Sequence, residues 1–343
     1  MNTRITRRAL LASLPAAGAV SRALGQPAAA PIPAKKLNQM TLVVSDLQRS
    51  LDFYQGLFGM PIQARQGSAV LLRVGSGPQF LALKAAEGGA KPGYSHFGIG
   101  VTGFSAEQVL KTLTAHGVER SDEPAPMTAR IQMRGREEGG APEGTPELFL
   151  RDPGGILVQL QDTSYCGGAG ALGNVCRALQ SAPPKGRFAL RDLSHFTMFS
   201  PKAEQAQRFY QEVFGLFIQA HQGPAPIFGV GTGPQFLMVT GGGAGRNPAQ
   251  AAGSINHGCF FIDGFKPDDV LKALTDYGLK PRESASGPAG PLQHYVTMRM
   301  PDRGGAPEGT AELYFTDPDG ILLQLQDPKY CGGGGRLGEI CTA

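Results

Sequence analysis

Two glutamines are the first residues whose setting suggests chemistry. Gln324 and Gln159 each stand midway along a short segment, 321–326 and 156–161, in which apolar residues alternate with amides. A period of two reads as a strand with one buried face and one face carrying the amides. An amide projecting from mid-strand onto a sheet face can hold a ligand. The two segments lie in near-copies of one stretch, residues 139–176 and 304–341, set at a constant offset. In each copy a strand (147–150 or 312–315) enters an Asp-Pro-Gly-Gly or Asp-Pro-Asp-Gly turn. Proline sets φ for such a turn and glycine supplies the positive φ that branched residues resist. The chain is a duplication, and both halves close in the same way.

The cysteines carry chemistry of another kind. Four of the five form two similar pairs, Cys166/Cys176 and Cys331/Cys341. In an oxidising compartment the simplest reading is one local disulfide per half. Four cysteines allow three connectivities, so pairing between the halves stays open. Closing a loop of that size contributes roughly 3 kcal/mol on the chain-entropy model. No histidine is interleaved with these cysteines, which disfavours a metal site there. Cys259 reads as a buried core thiol.

The 343 residues suffice for two domains of ordinary size. Thr6-Arg7-Arg8-Ala9-Leu10-Leu11, the apolar run after it and Ala23-Leu24-Gly25 read as a twin-arginine-type export signal over residues 1–25. Removing it takes away four arginines and no acid, which cancels the formal charge of +4. The basic balance belongs to the signal, and nothing argues for nucleic-acid binding. No apolar stretch of about 20 residues follows, so no membrane span is expected. Residues 26–36 read as a flexible leader.

From Leu37 onward strands and helices alternate. A strand over 37–44 precedes a helix over 46–59, with Leu47, Leu51, Tyr54 and Phe58 on one stripe and Gly59 as its stop. Three short strands follow. This βαβββ order recurs from Tyr94, with a helix over 105–116, then from Leu193, with a helix over 201–214, and from Asn256, with a helix over 266–277. The spacing predicts an α+β chain of four βαβββ modules paired into two domains, 37–177 and 188–343, joined by a linker over 178–187.

Residues 37–47, then Ser50-Leu51-Asp52-Phe53-Tyr54 and Leu57-Phe58-Gly59, resemble the opening of the vicinal oxygen chelate superfamily. That superfamily includes glyoxalase I, bleomycin-resistance proteins and type I extradiol dioxygenases. The Asp-Pro-x-Gly hairpin ending in a glutamine resembles its closing signature. The resemblance covers both halves. It implies that two modules form a curved, half-open sheet whose concave face can hold a divalent metal.

Carried over by position, the family's ligand sites fall on His195, Met238, His257 and Gln324 in the second half, and on Gln39, Ala82, His96 and Gln159 in the first. Both histidines occur together only in the second half, which resembles the extradiol arrangement of two histidines and a glutamate. Residues 313–320 also resemble the extradiol signature, including its active-site tyrosine, here Tyr314. Two departures stand out. Gln324 replaces the glutamate and brings no negative charge, which weakens binding of a hard ion. Gly305 and Ala306 occupy the neighbourhood of the upstream signature histidine, so His294 or Tyr295 would have to serve as acid/base. Ala129 and Arg130 stand opposite these two in the first half. His221, opposite Arg65, is a further candidate at the site mouth. No cleft position supplies a carboxylate.

The resemblance thus implies an exported metal-dependent oxidoreductase of dioxygenase type. Its metal, Fe(II) first and Mn(II) second, would sit on His195, His257 and Gln324. His294 would be the acid/base and Tyr314 would bond to a small vicinal-diol substrate. The alternatives are a metal-free small-molecule binder and a glyoxalase-like lyase or isomerase. The expected partner is a small molecule, and the expected state a monomer or a homodimer.

Overall fold

The computed structural model describes residues 30–183, 185–241, 252–284 and 287–341. The expected export signal lies outside them. The first module holds β1 (Ala34–Val44), α1 (Leu47–Phe58), β2 (Ile62–Gln66), β3 (Ala69–Arg73) and β4 (Phe80–Ala85). The second holds β5 (Gly93–Val101), α2 (Ala106–Ala115), β6 (Glu119–Arg120), β7 (Thr128–Arg134), β8 (Thr145–Arg151) and β9 (Leu157–Asp162). The third repeats the first with β10 (Leu190–Phe199), α3 (Ala203–Phe214), β11 (Phe217–Gln222), β12 (Ala225–Gly229) and β13 (Phe236–Thr240). The fourth repeats the second with β14 (Ser254–Ile262), α4 (Pro267–Tyr277), β15 (Lys280–Pro281), β16 (Gln293–Arg299), β17 (Thr310–Thr316) and β18 (Leu322–Gln326).

Helix α1 illustrates how local sequence sets these bounds. The Asp46 side chain accepts from the Arg49 N–H at 3.0 Å, and Gly59 ends the helix at φ 64°. These are the two ends that sequence signals marked. The two-residue strands β6 and β15 were not expected; each adds one edge strand. β1 begins at Ala34, ahead of the start expected at Leu37, and the Ile32 N–H donates to Val213 O at 2.9 Å.

Each half is one nine-stranded sheet, ordered β2-β3-β4-β1-β5-β9-β8-β7-β6 and, identically, β11-β12-β13-β10-β14-β18-β17-β16-β15. The central strands β1 and β5 of one sheet meet β10 and β14 of the other. One apolar core runs through both halves. Phe97 and Phe196 face each other across it with ring centroids 4.9 Å apart. A Cβ on Gly258 would lie 2.3 Å from the Met40 methyl and 2.9 Å from a Phe196 ring carbon, so a larger residue there would push these core side chains aside. Tyr94 accepts from the freed Gly258 N–H at 2.7 Å and donates to Leu322 O at 2.6 Å. Because the inner faces are spent on this core, ligand chemistry is left to the outward faces.

The halves are also tied reciprocally. Tyr54 on α1 donates to Asp317, in the closing turn of the second half, at 3.1 Å; Tyr210 on α3 donates to Asp152, in the closing turn of the first half, at 3.2 Å. Each aspartate also accepts backbone N–H bonds within its own turn. The disulfides are the local pairs, Cys166–Cys176 and Cys331–Cys341. Among the described residues no helix is long and apolar enough to cross a membrane.

Both tyrosines are fully buried and their partners are charged acceptors. Tyr54→Phe and Tyr210→Phe should each cost about 1–3 kcal/mol in urea unfolding. Lysine substitutions of the exposed Gln48 and Glu204 on the same helices should stay within about 0.5 kcal/mol.

Candidate metal centre

The register of the second sheet explains why three chemical side chains meet. β10 runs antiparallel to β14, and β14 parallel to β18. His195, Cys259 and Gln324 therefore stand side by side in one row across three strands. His257 lies two residues from Cys259 on β14 and so shares its face. All four are buried. The His195 and His257 Nε2 atoms are 3.4 Å apart, and His195 Nε2 lies 2.9 Å from Gln324 Oε1.

Their outer nitrogens are occupied. His257 Nδ1 is 2.8 Å from Asn256 Oδ1, which can only accept, so Nδ1 carries the proton and Nε2 presents its lone pair. His195 Nδ1 is 2.9 Å from Ser194 Oγ, and its ring stacks on Phe236 at 4.2 Å. Burial lowers the His257 pKa to about 4, against the opposing pull of Gln324. Burial, and then the neighbouring His257, hold His195 well below the usual range. The site is thus two neutral imidazoles and an amide oxygen, all turned to one point. Gln324 Nε2, turned the other way, is buried with no partner.

Ligand atoms about 2.1 Å from a shared metal ion lie roughly 3.0–3.4 Å apart, so the observed spacings suit a single ion. Imidazole suits Fe, Zn and Cu, whereas a neutral amide in place of a carboxylate lowers affinity for hard ions. The donor set fits a divalent ion held without charge neutralisation. Among the described residues no group of three or more His, Cys, Asp or Glu gathers around one point.

The first half shows what these positions do without a second histidine. Gln39, at the place of His195, donates Nε2 to Gln159 Oε1 at 2.6 Å. Gln161 donates to Asn38 at 2.6 Å and to Gln39 at 3.1 Å. His96 Nε2 sits 3.2 Å from both Gln159 Oε1 and Thr41 Oγ1. Amide donors meet amide acceptors along this row, while Asn38 Nδ2 and Gln161 Oε1 at its end are buried without a partner. Gly98 makes room for it, because a Cβ there would meet Gln39, Gln161 and Asn38 within 3 Å. In the second half Cys259 takes the place of Gly98, and no amide donor faces the histidines. The sequence identified this thiol only as core; its position beside His195 depends on strand register.

Beside the histidines opens a cavity of about 470 Å³, lined by His257, Arg282, Tyr295, Thr297, Glu312 and Tyr314 among others. Tyr314 meets His257 edge-on at 5.3 Å and stacks on Tyr295 at 5.1 Å. Arg282 lies over the outer face of Tyr295 at 4.7 Å. Burial, then the Glu312 charge, raise the Tyr314 pKa well above its usual value, so its hydroxyl keeps its proton. Glu312 is a carboxylate in the cleft where none was expected. Its Oε1 accepts from Arg299 Nε at 2.8 Å and from Tyr330 at 3.1 Å, and its Oε2 accepts from Tyr314 at 3.3 Å. The period of two along β17 could have placed it with Tyr314. Its copy Glu147, in the half that lacks the paired histidines, masked that signal.

The structure thus brings together His195, His257, Gln324 and Tyr314, and it does not bring His294 to them. His294 alternates with Tyr295 on β16 and so points to the opposite face. There it is buried against α4, with Nε2 2.8 Å from Thr275 Oγ1, and burial lowers its pKa. An acid/base role at the cavity does not fit this position; Tyr295, the other residue considered, lines the cavity. His221 is exposed on the edge-side strand β11 and does not line the cavity. Met238 is 4.0 Å from Thr197 Oγ1 and offers only a thioether.

The neutral histidine pair has a pH signature. Its folded pKa values lie below the unfolded value, so the folded state binds fewer protons between about pH 4 and 6.5. Stability is full above that window and falls as pH drops through it, by roughly 1–3 kcal/mol. Chemical denaturation across that range should show this loss. A His195→Gln, His257→Gln double variant should lose this component, read as the difference from wild type, because His96, lowered to about 4, and Asp152, Asp192 and Asp317, raised to about 6, titrate in the same window in both proteins.

A family model described as Glyoxalase/Bleomycin resistance protein/Dioxygenase superfamily matches residues 36–160. A comparison with curated proteins gives no match. The fold is similar to that of a catechol 2,3-dioxygenase (17% identity, 89% of each chain, TM-score 0.55). It is also similar to the 2,3-dioxygenase LapB from Pseudomonas sp. KL28 (16% identity, 87% of this chain and 94% of that one, TM-score 0.56). The Mn(II)-bound glyoxalase from Novosphingobium aromaticivorans is a third (14% identity, 86% and 82%, TM-score 0.55). Residues 36–160 match the model of that superfamily, the second half repeats their topology strand for strand, and the whole chain shares the two-domain fold of these solved structures.

Proposed function

We propose that the chain is an exported, metal-dependent oxidoreductase of extradiol-dioxygenase type acting on a small vicinal-diol substrate. The observation that carries this reading is the convergence of His195 Nε2, His257 Nε2 and Gln324 Oε1 on one point, where the first half closes the same positions with amide hydrogen bonds. These three residues would hold a divalent ion, Fe(II) first and Mn(II) second. When bound, the ion supplies Lewis-acid and redox chemistry toward adjacent substrate oxygens and O₂. The names of the similar structures, two dioxygenases and a Mn(II)-bound glyoxalase, support a divalent metal.

The chain's own residues do the rest. The stacked Tyr295 and Tyr314 offer an aromatic wall to a flat ring. The Tyr314 hydroxyl reaches a substrate oxygen beside His257. Packing of His195 against Phe236 and Tyr330, which also touch each other, excludes water from one side of the site. The two local disulfides and the twin-arginine segment support export to an oxidising compartment. Four modules within one chain support a self-sufficient monomer, with a homodimer as the other outcome of a sedimentation measurement.

One observation favours metal-free ligand binding instead. If the Gln324 amide were rotated, its unpartnered Nε2 would donate to His195, as Gln39 donates to Gln159. Elemental analysis of the mature protein separates the two readings. About one Fe or Mn per chain, lost in His195→Ala and His257→Ala with the fold retained, is the expected result. No metal in any preparation, including one reconstituted with Fe(II) or Mn(II), overturns it.

Two further outcomes follow from the same reading. Gln324→Glu adds the missing charge and should tighten Mn(II) binding by about tenfold or more in equilibrium titration. Arg7→Lys with Arg8→Lys should leave the precursor in the cytoplasm on fractionation, whereas a chain using the general secretory route would still be exported.

A further inference from the structure

Glu312 lines the cavity and is held there by three hydrogen bonds. Its Oε1 takes two donors, Arg299 Nε and the Tyr330 hydroxyl, so the carboxylate cannot rotate without breaking both. Its Oε2 faces the Tyr314 hydroxyl. A carboxylate only accepts hydrogen bonds. The single proton of the Tyr314 hydroxyl is therefore committed to Glu312, and what Tyr314 offers to the cavity is its lone pairs. The first half holds the same anchor without this consequence. Glu147 accepts from Arg134 at 2.8 Å and from Tyr165 at 2.5 Å, but Phe149 stands where Tyr314 would be.

We infer that Glu312 is a positioning residue that sets the hydrogen-bond direction of Tyr314, so that the cavity selects a ligand presenting an O–H donor over one presenting an ether, a ketone or a phenolate. This deepens the proposed function, resting on its placement of the ligand between Tyr314 and His257. The Tyr314–Glu312 bond of 3.3 Å is long for an O–H···O contact; catalytic hydrogen bonds often tighten only when ligand fills a site. A ligand without the hydroxyl leaves the buried Tyr314 lone pairs unmatched. Such a mismatch is the kind that polar sites discriminate most strongly.

The test is a selectivity ratio. Catechol and 1,2-dimethoxybenzene, which carries no O–H donor, are titrated by calorimetry into the mature protein as purified and after chelator treatment, with metal content measured in the same samples. Wild type should bind catechol at least about tenfold more tightly than 1,2-dimethoxybenzene even without metal. In Glu312→Gln the amide still accepts from Arg299 and Tyr330 through its oxygen, but its nitrogen donates toward Tyr314. The hydroxyl then turns to the cavity, and the ratio should fall at least about tenfold, to parity or in favour of the methyl ether. Tyr314→Phe, which reproduces the ring at Phe149, should remove the preference. Glu147→Gln should lower stability in the same way and leave the ratio unchanged.

A purely structural role for Glu312 predicts that both probes weaken together at a constant ratio, and that result overturns the proposal. So does a chelated wild type that binds both probes equally, which needs no variant to fold. Absence of metal from every sample would remove the oxidoreductase reading and leave this measurement intact.

Discussion

The buried pair Arg299–Glu312, with its copy Arg134–Glu147, is the interaction on which each outward face depends. Arg299 spends its three nitrogens on Glu312, on Gly304 O at 2.8 Å and on Gly333 O at 2.9 Å. It thereby fastens β16 to β17, to the turn before β17 and to the disulfide loop. A buried ion pair adds little net stability over an apolar replacement, but losing one partner costs about 3–5 kcal/mol. The pair therefore acts as a constraint. It brings Tyr330 over the sheet, where the ring packs near His195 and the hydroxyl shares Glu312. The second disulfide closes the loop that this arginine holds.

Duplication supplies an internal control for function. The two halves share topology, register, the arginine–glutamate anchors, the disulfide loops and the reciprocal tyrosine–aspartate ties. They differ where chemistry would sit. The first half fills its outward face with amides that bond to one another, so the positions of the histidines and Gln324 are occupied by internal hydrogen bonds. The second half replaces Gln39 by His195, Gly98 by Cys259 and Phe149 by Tyr314. These changes remove an amide donor and leave one imidazole N–H, on His195 Nε2, between two acceptors, Gln324 Oε1 and His257 Nε2. Holding a cation at that point needs the other His195 tautomer, with Nδ1–H donating to Ser194 Oγ.

The shared core explains why the two halves are one unit. Gly258 lets β14 approach Met40 and Phe196, and Tyr94 satisfies the backbone groups exposed there. With both inner faces buried in this way, each domain has only its outer face to offer, and divergence was confined to one of the two.

Much of this was legible in the residues themselves. Alternation of apolar and polar residues gave the strands, Asp46 and Gly59 gave the bounds of a helix, and the repeat gave two domains. Those signals are local: they depend on φ preferences, caps and a period of two or 3.6. The local disulfides also agreed with the spacing, although spacing left the connectivity open. Gln324 stood out by alternation along its strand, whereas His195, His257 and Tyr314 were placed by the family resemblance, position by position; one strand fixes which residues share a face. It does not fix which face is turned to the cavity or which neighbour lies across. Tertiary structure alone decided that His294 packs on α4, one residue out of phase with Tyr295. It also decided that Cys259 stands beside His195 and that Glu312 joins Tyr314 in the cleft. Each of those outcomes depends on how strands far apart in sequence are registered and on which sheet face the other domain covers. Neither is written in the pattern of a single strand.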